Sequence, residues 1–474
     1  MSMEVMPSVV QFTVPFVALF LAVWVTYCGV LKGQPVSDDC SPPGGIALYD
    51  GKLQLPISFG NLWKKFRWEF GKKPNPNRNW KQDKQLSHVV NFVAHHRLNL
   101  WLFCGVTGLL YLFLRQLLPE KVAFLAVLLW IAHPLGCQVV SWVSGCGYLC
   151  GAFFMLIGLN VIMLASQLGW YQTPFWILGV FLCYGLMQWL AVEAMFVMLG
   201  VTLILLFLHQ WPFAILSSLI ACYGGFNTFR EALTLRAKVF HEQQMGQSTK
   251  FYPRKLIFVC RALWYNVKLV CWPKSLGLYS DWSYHLELPY VESEDSYFYY
   301  GLIAIGLLTV GCLSQNFPIQ LGCIWFIAFM FCFLGWVVAN QTVVDRYAWL
   351  PSFGICLILA SLLPLWMYCF VLGIALMRTW VHIPTYYDET SFYYSNIFNF
   401  PKSEVAYGNL GVVQMNRGLM GSAMDTWWTG LQLNSSYDVN LYNLSSCFKA
   451  RGPLNPNYAP LLYNQLPKEI IDKA

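Results

Sequence analysis

Few side chains in this sequence can do chemistry, and their positions narrow what that chemistry is. Glu193 stands in an otherwise apolar block at 192–209. An ionisable group at membrane depth is costly and marks either a functional site or an ion pair; Arg346 and His133 are the partners open to it. Arg346 belongs to the run Asp345-Arg346-Tyr347. Its guanidinium has the shape to hold a phosphate through two parallel hydrogen bonds. The alternative is a charged pair at a helix entry, anchored at the membrane interface by Tyr347 and Trp349. His88, His95 and His96 raise the question of a metal. His88 and His95 are seven residues apart and can share a helical face, but no carboxylate joins them at ligand spacing, so no metal is expected. Most of the sixteen cysteines fall in apolar stretches, where cysteine is a small hydrophobe. There is no Cys-x-x-Cys and no zinc spacing.

These residues need elements to carry them, and composition says which kind. Hydrophobic residues make up 57% of the 474 and charged residues 11%, less than half the roughly one quarter of a soluble globule. Mean hydropathy is +0.48. A soluble enzyme, a disordered chain and a disulfide scaffold are thereby excluded. Backbone groups cannot stay unpaired in hydrocarbon, so the apolar blocks must be helices. The first block, 9–31, is long enough to span and lacks the basic start of a signal peptide, so it reads as a retained span. Further blocks lie near 98–118, 121–136, 138–167, 173–190, 192–209, 211–223, 257–273, 298–314, 318–340 and 347–377. The expected fold is all-α, a polytopic bundle of about eleven spans over residues 1–377, followed by a soluble tail at 378–474.

Two parts stand outside the bundle. The loop 32–97 holds eleven Lys/Arg against five acids. It is either a charge-rule flank or a surface for phosphate-bearing lipid or an acidic partner. No nucleic-acid module accompanies the charge. Within it, 86–96 reads as a short interfacial helix. In the tail, Asn409-Leu410-Gly411 and Arg417-Gly418 recur as Asn443-Leu444-Ser445 and Arg451-Gly452, both offset by 34 residues. That is the tetratricopeptide (TPR) period, and Ala423 with Trp427 supplies the small and large residues of two nested helices. One and a half repeats are too few to stand alone, so the tail must lean on the bundle or on a partner.

Three segments together resemble one family. His133-Pro134 with Val140-Ser141-Trp142-Val143-Ser144-Gly145 is similar to a His-Pro…Trp-Ile-Ser-Gly-Arg segment. Trp272-Pro273, Leu276 and Ser280-Asp281-Trp282-Ser283 are similar to a Pro-x-x-Leu-Ser-x-Asp-x-Ser loop. Asp345-Arg346-Tyr347-Ala348-Trp349-Leu350-Pro351-Ser352-Phe353-Gly354 resembles a Glu-Arg-Tyr-Leu-Tyr-Leu-Pro-Ser-x-Gly signature. Their order resembles the transmembrane-and-TPR protein O-mannosyltransferases, polytopic glycosyltransferases of the GT-C fold. The resemblance covers most of the chain. It implies transfer of a sugar from a polyprenyl phosphate to a hydroxyl, which needs a carboxylate base and a cation on the departing phosphate. It places Asp38 and Asp39 where the family carries its acidic pair. It gives Arg346, Tyr347 and His133 to the lipid phosphate. Two Asp before Pro42-Pro43 also make an ordinary turn.

The departures are in the charged positions. Where the family carries Glu, Arg and an acid, this chain has Gln138, Cys146 and Tyr148; of a Lys-Glu pair only Glu193 is kept, after Val192. A Tyr-Arg-Pro-Leu stretch before His96 is missing. Neutral replacements are what a bundle that no longer catalyses can tolerate. The expectation is therefore a degenerate, non-catalytic subunit of a larger membrane complex, with no cofactor, in an organellar inner membrane such as the mitochondrial one. Membrane lipids and other subunits, docked on the basic loop and the tail, would be its partners, and nucleic acid would not. The alternative is an active dolichyl-phosphate-mannose-dependent O-mannosyltransferase of the endoplasmic reticulum.

Overall fold

The structure, a computed structural model, describes residues 9–33, 36, 47–49, 52–55, 88–89, 92–142, 145–168, 177–180, 182–183, 194–219, 254–277, 295–334, 344–433 and 438–451. Helices dominate. The bundle is built from α1 (Val9–Tyr27), α2 (Phe92–Arg115), α3 (Glu120–Ala132), α4 (Gly136–Ser141), α5 (Cys146–Leu168), α6 (Ala194–Phe207), α7 (Arg254–Cys271), α8 (Asp295–Cys312), α9 (Phe317–Met330), α10 (Asp345–Leu362) and α11 (Leu365–His382). A 3-10 turn, Cys28–Lys32, continues α1, and another, Ile383–Tyr386, continues α11.

Four helical stretches among the described residues are long and apolar enough to cross a membrane: Thr13–Lys32, His96–Arg115, Cys146–Gln167 and Leu365–Tyr386. Other apolar helices are shorter among the described residues. The helices α3, α6 and α9 have 13, 14 and 14 residues, about 20 Å at 1.5 Å per residue, short of a hydrocarbon core of about 30 Å. The block read at 347–377 is two helices, parted at Leu363-Pro364, because proline has no N–H to continue the first and pre-sets the start of the second. The block at 138–167 is likewise α4 and α5, parted before Cys146. Segment 86–96 is not a helix throughout: His88–Val89 is the third strand of a small antiparallel sheet. In it Ala47–Tyr49 pairs with Lys52–Leu55, and Gln54 and Leu55 pair with Val89 and His88.

The helices meet at one end. Tyr27 at the end of α1 reaches the His133 carbonyl, Asn99 in α2 reaches the carbonyls of Val140 and Trp142, and Thr379 near the end of α11 reaches that of Ala132. Gly277, beyond α7, donates to Asp345 at the start of α10. The loop 32–97 and the tail both leave the bundle here, so this is the loop end. At the opposite end Tyr111 and Arg115 contact Glu120.

Small residues set the spacing. Gly322 in α9 and Gly354 in α10 face each other, and a Cβ on either would run into the other's carbonyl oxygen. Such contacts let backbones approach where lipid supplies no hydrophobic drive. Around them pack Trp130, Trp325, Trp349 and Phe353, all buried. Trp130 stacks on Trp349 at 5.0 Å, and Trp325 meets Phe353 edge-on at 5.1 Å.

The membrane segment runs past the expected boundary at Met377. Arg378 looks like the end of an apolar helix, but its guanidinium donates to the carbonyls of Pro273 and Lys274, and α11 continues to His382. The tail then forms α12 (Glu389–Asn399), α13 (Glu404–Asn416), α14 (Met420–Leu433) and α15 (Asp438–Arg451). Asp388 caps α12: its Oδ1 accepts from the amides of Thr390 and Ser391 at 2.9 and 3.1 Å. The α13–α14 turn holds Gly418 at φ 78°, the left-handed region that glycine adopts without strain. Trp427 lies across Gly411 and donates to the Gly408 carbonyl at 2.9 Å, and Ala423 is fully buried beside it. The tail does lean on the bundle, because Asn399 donates to the Leu276 carbonyl at 2.9 Å.

Two outcomes follow. Gly354→Ala should lower stability by about 1–3 kcal/mol through overpacking. Gly373→Ala, with nothing within 4 Å, should not destabilise, since alanine favours a helix; thermal unfolding in detergent compares them. Burial opposes the Asp388 charge, but the bonds from Ser391 and Thr390, with Arg417 nearby, outweigh it and hold the carboxyl below its usual value. A depressed carboxylate stabilises above its unfolded pKa, and that contribution goes as pH falls through the folded one. Asp388→Ala should cost about 1 kcal/mol near neutral pH. Hydrogen exchange in α12 should show that difference shrinking below about pH 4.

Candidate functional site

The described parts of the three segments that carry the resemblance come together at the loop end; Val143, Ser144 and Ser280, Asp281, Trp282 and Ser283 lie outside the described residues. Pro134 and Leu135 turn the chain between α3 and α4, so that Gln138 on α4 faces the first turn of α10. There Gln138 Oε1 accepts the Arg346 backbone N–H at 2.7 Å. An N–H in the first turn of a helix has no partner within the helix, and Gln138 supplies one. Tyr148, on the second residue beyond Cys146 in α5, accepts from Arg346 Nε through its hydroxyl at 3.0 Å. The guanidinium lies over the rings of Trp142, at 5.5 Å, and Tyr347, at 4.8 Å, a cation on two aromatic faces.

Asp345, beside it, turns inward. It is 2% exposed, and its Oδ2 accepts the Gly277 N–H at 2.9 Å. His382 Nε2, from the end of α11, approaches the same oxygen at 3.9 Å, and its ring meets Tyr386 edge-on. Asp345 thus joins the loop after α7, the start of α10 and the end of α11. It is a buried structural acceptor.

His133 is fixed by backbone on both sides. Its Nε2 lies 2.9 Å from the Val270 carbonyl, and the Leu135 amide lies 3.3 Å from its Nδ1. A carbonyl only accepts and an amide N–H only donates, which places the ring proton on Nε2 and leaves a neutral ring. Both ring nitrogens thus have backbone partners.

Asp38, Asp39 and Glu193 lie outside the described residues. Val36, two positions before Asp38, is buried, and its carbonyl accepts from Trp142 Nε1 at 3.3 Å. The chain leading to the acidic pair is therefore tied to the residue that covers Arg346. His96 is buried, and among the described residues no three His, Cys, Asp or Glu come together as metal ligands. An apolar cleft of about 290 Å³ between α1 and α2, lined by Phe16, Phe20, Cys104 and Gly108 among others, presents no charged group.

The sequence reading missed Gly277, Thr379, His382 and Tyr386 as members of this cluster. One signal was present: Arg378 and His382 are four apart and share a helical face at the end of an apolar run. Among the described residues the site holds Arg346 on hydroxyl and aromatic supports, Arg378 on the Pro273 and Lys274 carbonyls, and the Asp345 carboxylate closed against backbone. Comparison of the chain with protein-family models, with curated proteins and with solved structures finds no match.

Gln138→Leu should destabilise the bundle by about 1–3 kcal/mol, because the Arg346 N–H loses its acceptor in a buried setting. Thermal unfolding of the purified full chain checks this. A stability equal to that of the unchanged protein would mean that the contact contributes nothing.

Proposed function

We propose that this chain is a non-catalytic subunit of a larger membrane assembly, built on a degenerate glycosyltransferase-like bundle. The observation that carries the reading is the support of Arg346. Gln138 and Tyr148 stand where the resembled family is charged, and both bond the arginine. Neutral groups thus do structural work at positions that would otherwise serve a charged donor. The engagement of both His133 nitrogens supports the same view.

In this reading the GT-C-like bundle has about eleven crossings, some made by paired short helices, and the tail is a TPR-like unit. Its helices α13 and α15 begin 34 residues apart, at Glu404 and Asp438. The basic loop and the tail, leaving at one end, are the docking surfaces for other subunits, and the charge rule puts that end on the matrix or cytoplasmic side. A mitochondrial inner membrane suits this arrangement.

One observation keeps the enzymatic reading in view. The tie from Trp142 to Val36 holds the approach to Asp38 and Asp39 at the end that carries Arg346. A dolichyl-phosphate-mannose transferase of the endoplasmic reticulum would need such a neighbourhood of base and cation.

Blue-native separation of gently solubilised native membranes, with mass spectrometry following this chain, decides between them. Co-migration with a stable large assembly is the expected result. Migration alone or as a small oligomer would sink the subunit reading. In that case Asp38→Asn and Asp39→Asn should each abolish transfer from a lipid-linked mannose donor.

A further inference from the structure

The exposed positions of α12 are Tyr394 and Phe398, at 53% and 86% exposure. They are four residues apart and so share one side of the helix. On α14, in the same tail, Ser422, Asp425, Thr429 and Gln432 are exposed, with Gly421 and Leu433 near its ends. That is the polar surface that water requires. A contiguous aromatic face on the neighbouring helix instead marks a surface that something covers.

Position says what covers it. Near the start of α12 the Phe392 ring meets that of Tyr386, the last residue of the apolar stretch Leu365–Tyr386, at 5.5 Å. At its end Asn399 bonds the Leu276 carbonyl, in the chain just beyond α7. With both ends pinned to the bundle, α12 runs across the loop end rather than away from it. Only Tyr387 and Asp388 separate it from the apolar stretch, and two residues reach at most about 7 Å. The headgroup layer is about 5–7 Å deep on each side of a bilayer, so α12 begins within that layer. Its surroundings match. Trp272 and Trp380 are exposed at the same end, and the Arg378 bonds to Pro273 and Lys274 hold their two segments together. Aromatic rings collect at headgroup level. Lys274 and Lys402, exposed within three residues of the Asn399–Leu276 contact, suit the phosphates there.

We infer that α12 is an in-plane membrane helix, with Tyr394 and Phe398 seated in the headgroup layer of the bilayer that holds the bundle. Helices that lie in the interface bury one apolar face and keep the other side polar or packed. Here Phe392, Tyr393 and Asn396 pack on the bundle, and the aromatic side takes the lipid. The tail is thereby moored at the membrane surface by its first helix, and α13 and α14 extend from that mooring. The inference stands apart from the subunit reading, since its occupant is lipid and the purified chain alone suffices to test it.

The test uses the full chain in nanodiscs of phosphatidylcholine and phosphatidylglycerol, with a phospholipid that carries a diazirine high on its acyl chain. After photolysis, peptide mass spectrometry should find lipid on Tyr394 and Phe398, as on the exposed face of α11, and none on the exposed positions of α14. Phe398→Ser should speed amide exchange in α12 on the order of tenfold in the same nanodiscs, the lower end of what burying a Phe side chain contributes. A ring that faced water would leave exchange unchanged. The photolabel, read on the unchanged chain, decides the matter should the variant fail to fold. Label on α11 with α12 as unmarked as α14 would overturn the inference. So would protection of Tyr394 and Phe398 that appears only in a native assembly, which would give this face to a protein partner.

Discussion

Where a helix breaks inside a membrane-sized bundle, its carbonyls need donors that water cannot supply, and this requirement organises the molecule. Most of the long-range buried hydrogen bonds answer it. Thr379 donates to Ala132 and His133 to Val270. Asn99 serves Val140 and Trp142, where α4 gives way to α5. Within α10 the indoles of Trp130 and Trp325 donate to the carbonyls of Trp349 and Leu350, which ties α3 and α9 to it. An unmade bond at such a place costs more than a made one contributes, so these side chains fix the positions of the broken ends.

The same requirement accounts for residues whose types suggest catalysis. A histidine after an apolar helix and an Asp-Arg-Tyr run would each serve a phosphate-transfer site, whereas the glutamine at 138 is a neutral replacement. In this bundle they join segments far apart in sequence: His133 to the end of α7, Asp345 to the loop beyond it, and Gln138 to the start of α10. Arg346 differs in being only half-buried. It rests on Trp142 and Tyr347, with Tyr148 as its hydroxyl partner. The loop end is thus a fastening that holds the guanidinium of Arg346 against aromatic rings and a hydroxyl.

The tail is attached to this fastening. Asn399 bonds the Leu276 carbonyl, next to the Gly277 that serves Asp345, and Asn396 packs close against Gly277. Movement of the tail would therefore be felt at the start of α10. The hairpin of α13 and α14 carries its own small core around Ala423 and Trp427, yet it is too small to be independent of what it leans on.

The sequence by itself determined the solvent and the class of element. With 11% charged residues, only helices could satisfy the backbone. Its small-to-large pattern pointed to Ala423 and Trp427, which are both buried, because that pattern is local. It marked three segments whose described parts meet at the loop end, although not that they meet. Helix lengths were less legible. Hydropathy does not register a break such as Leu363-Pro364, nor an arginine like Arg378 whose charge is absorbed by carbonyls more than a hundred residues away. Only the tertiary structure decided the roles of His133, Gln138 and Asp345, because a polar side chain's function depends on which unpaired group lies opposite it. In this chain that partner usually comes from another helix.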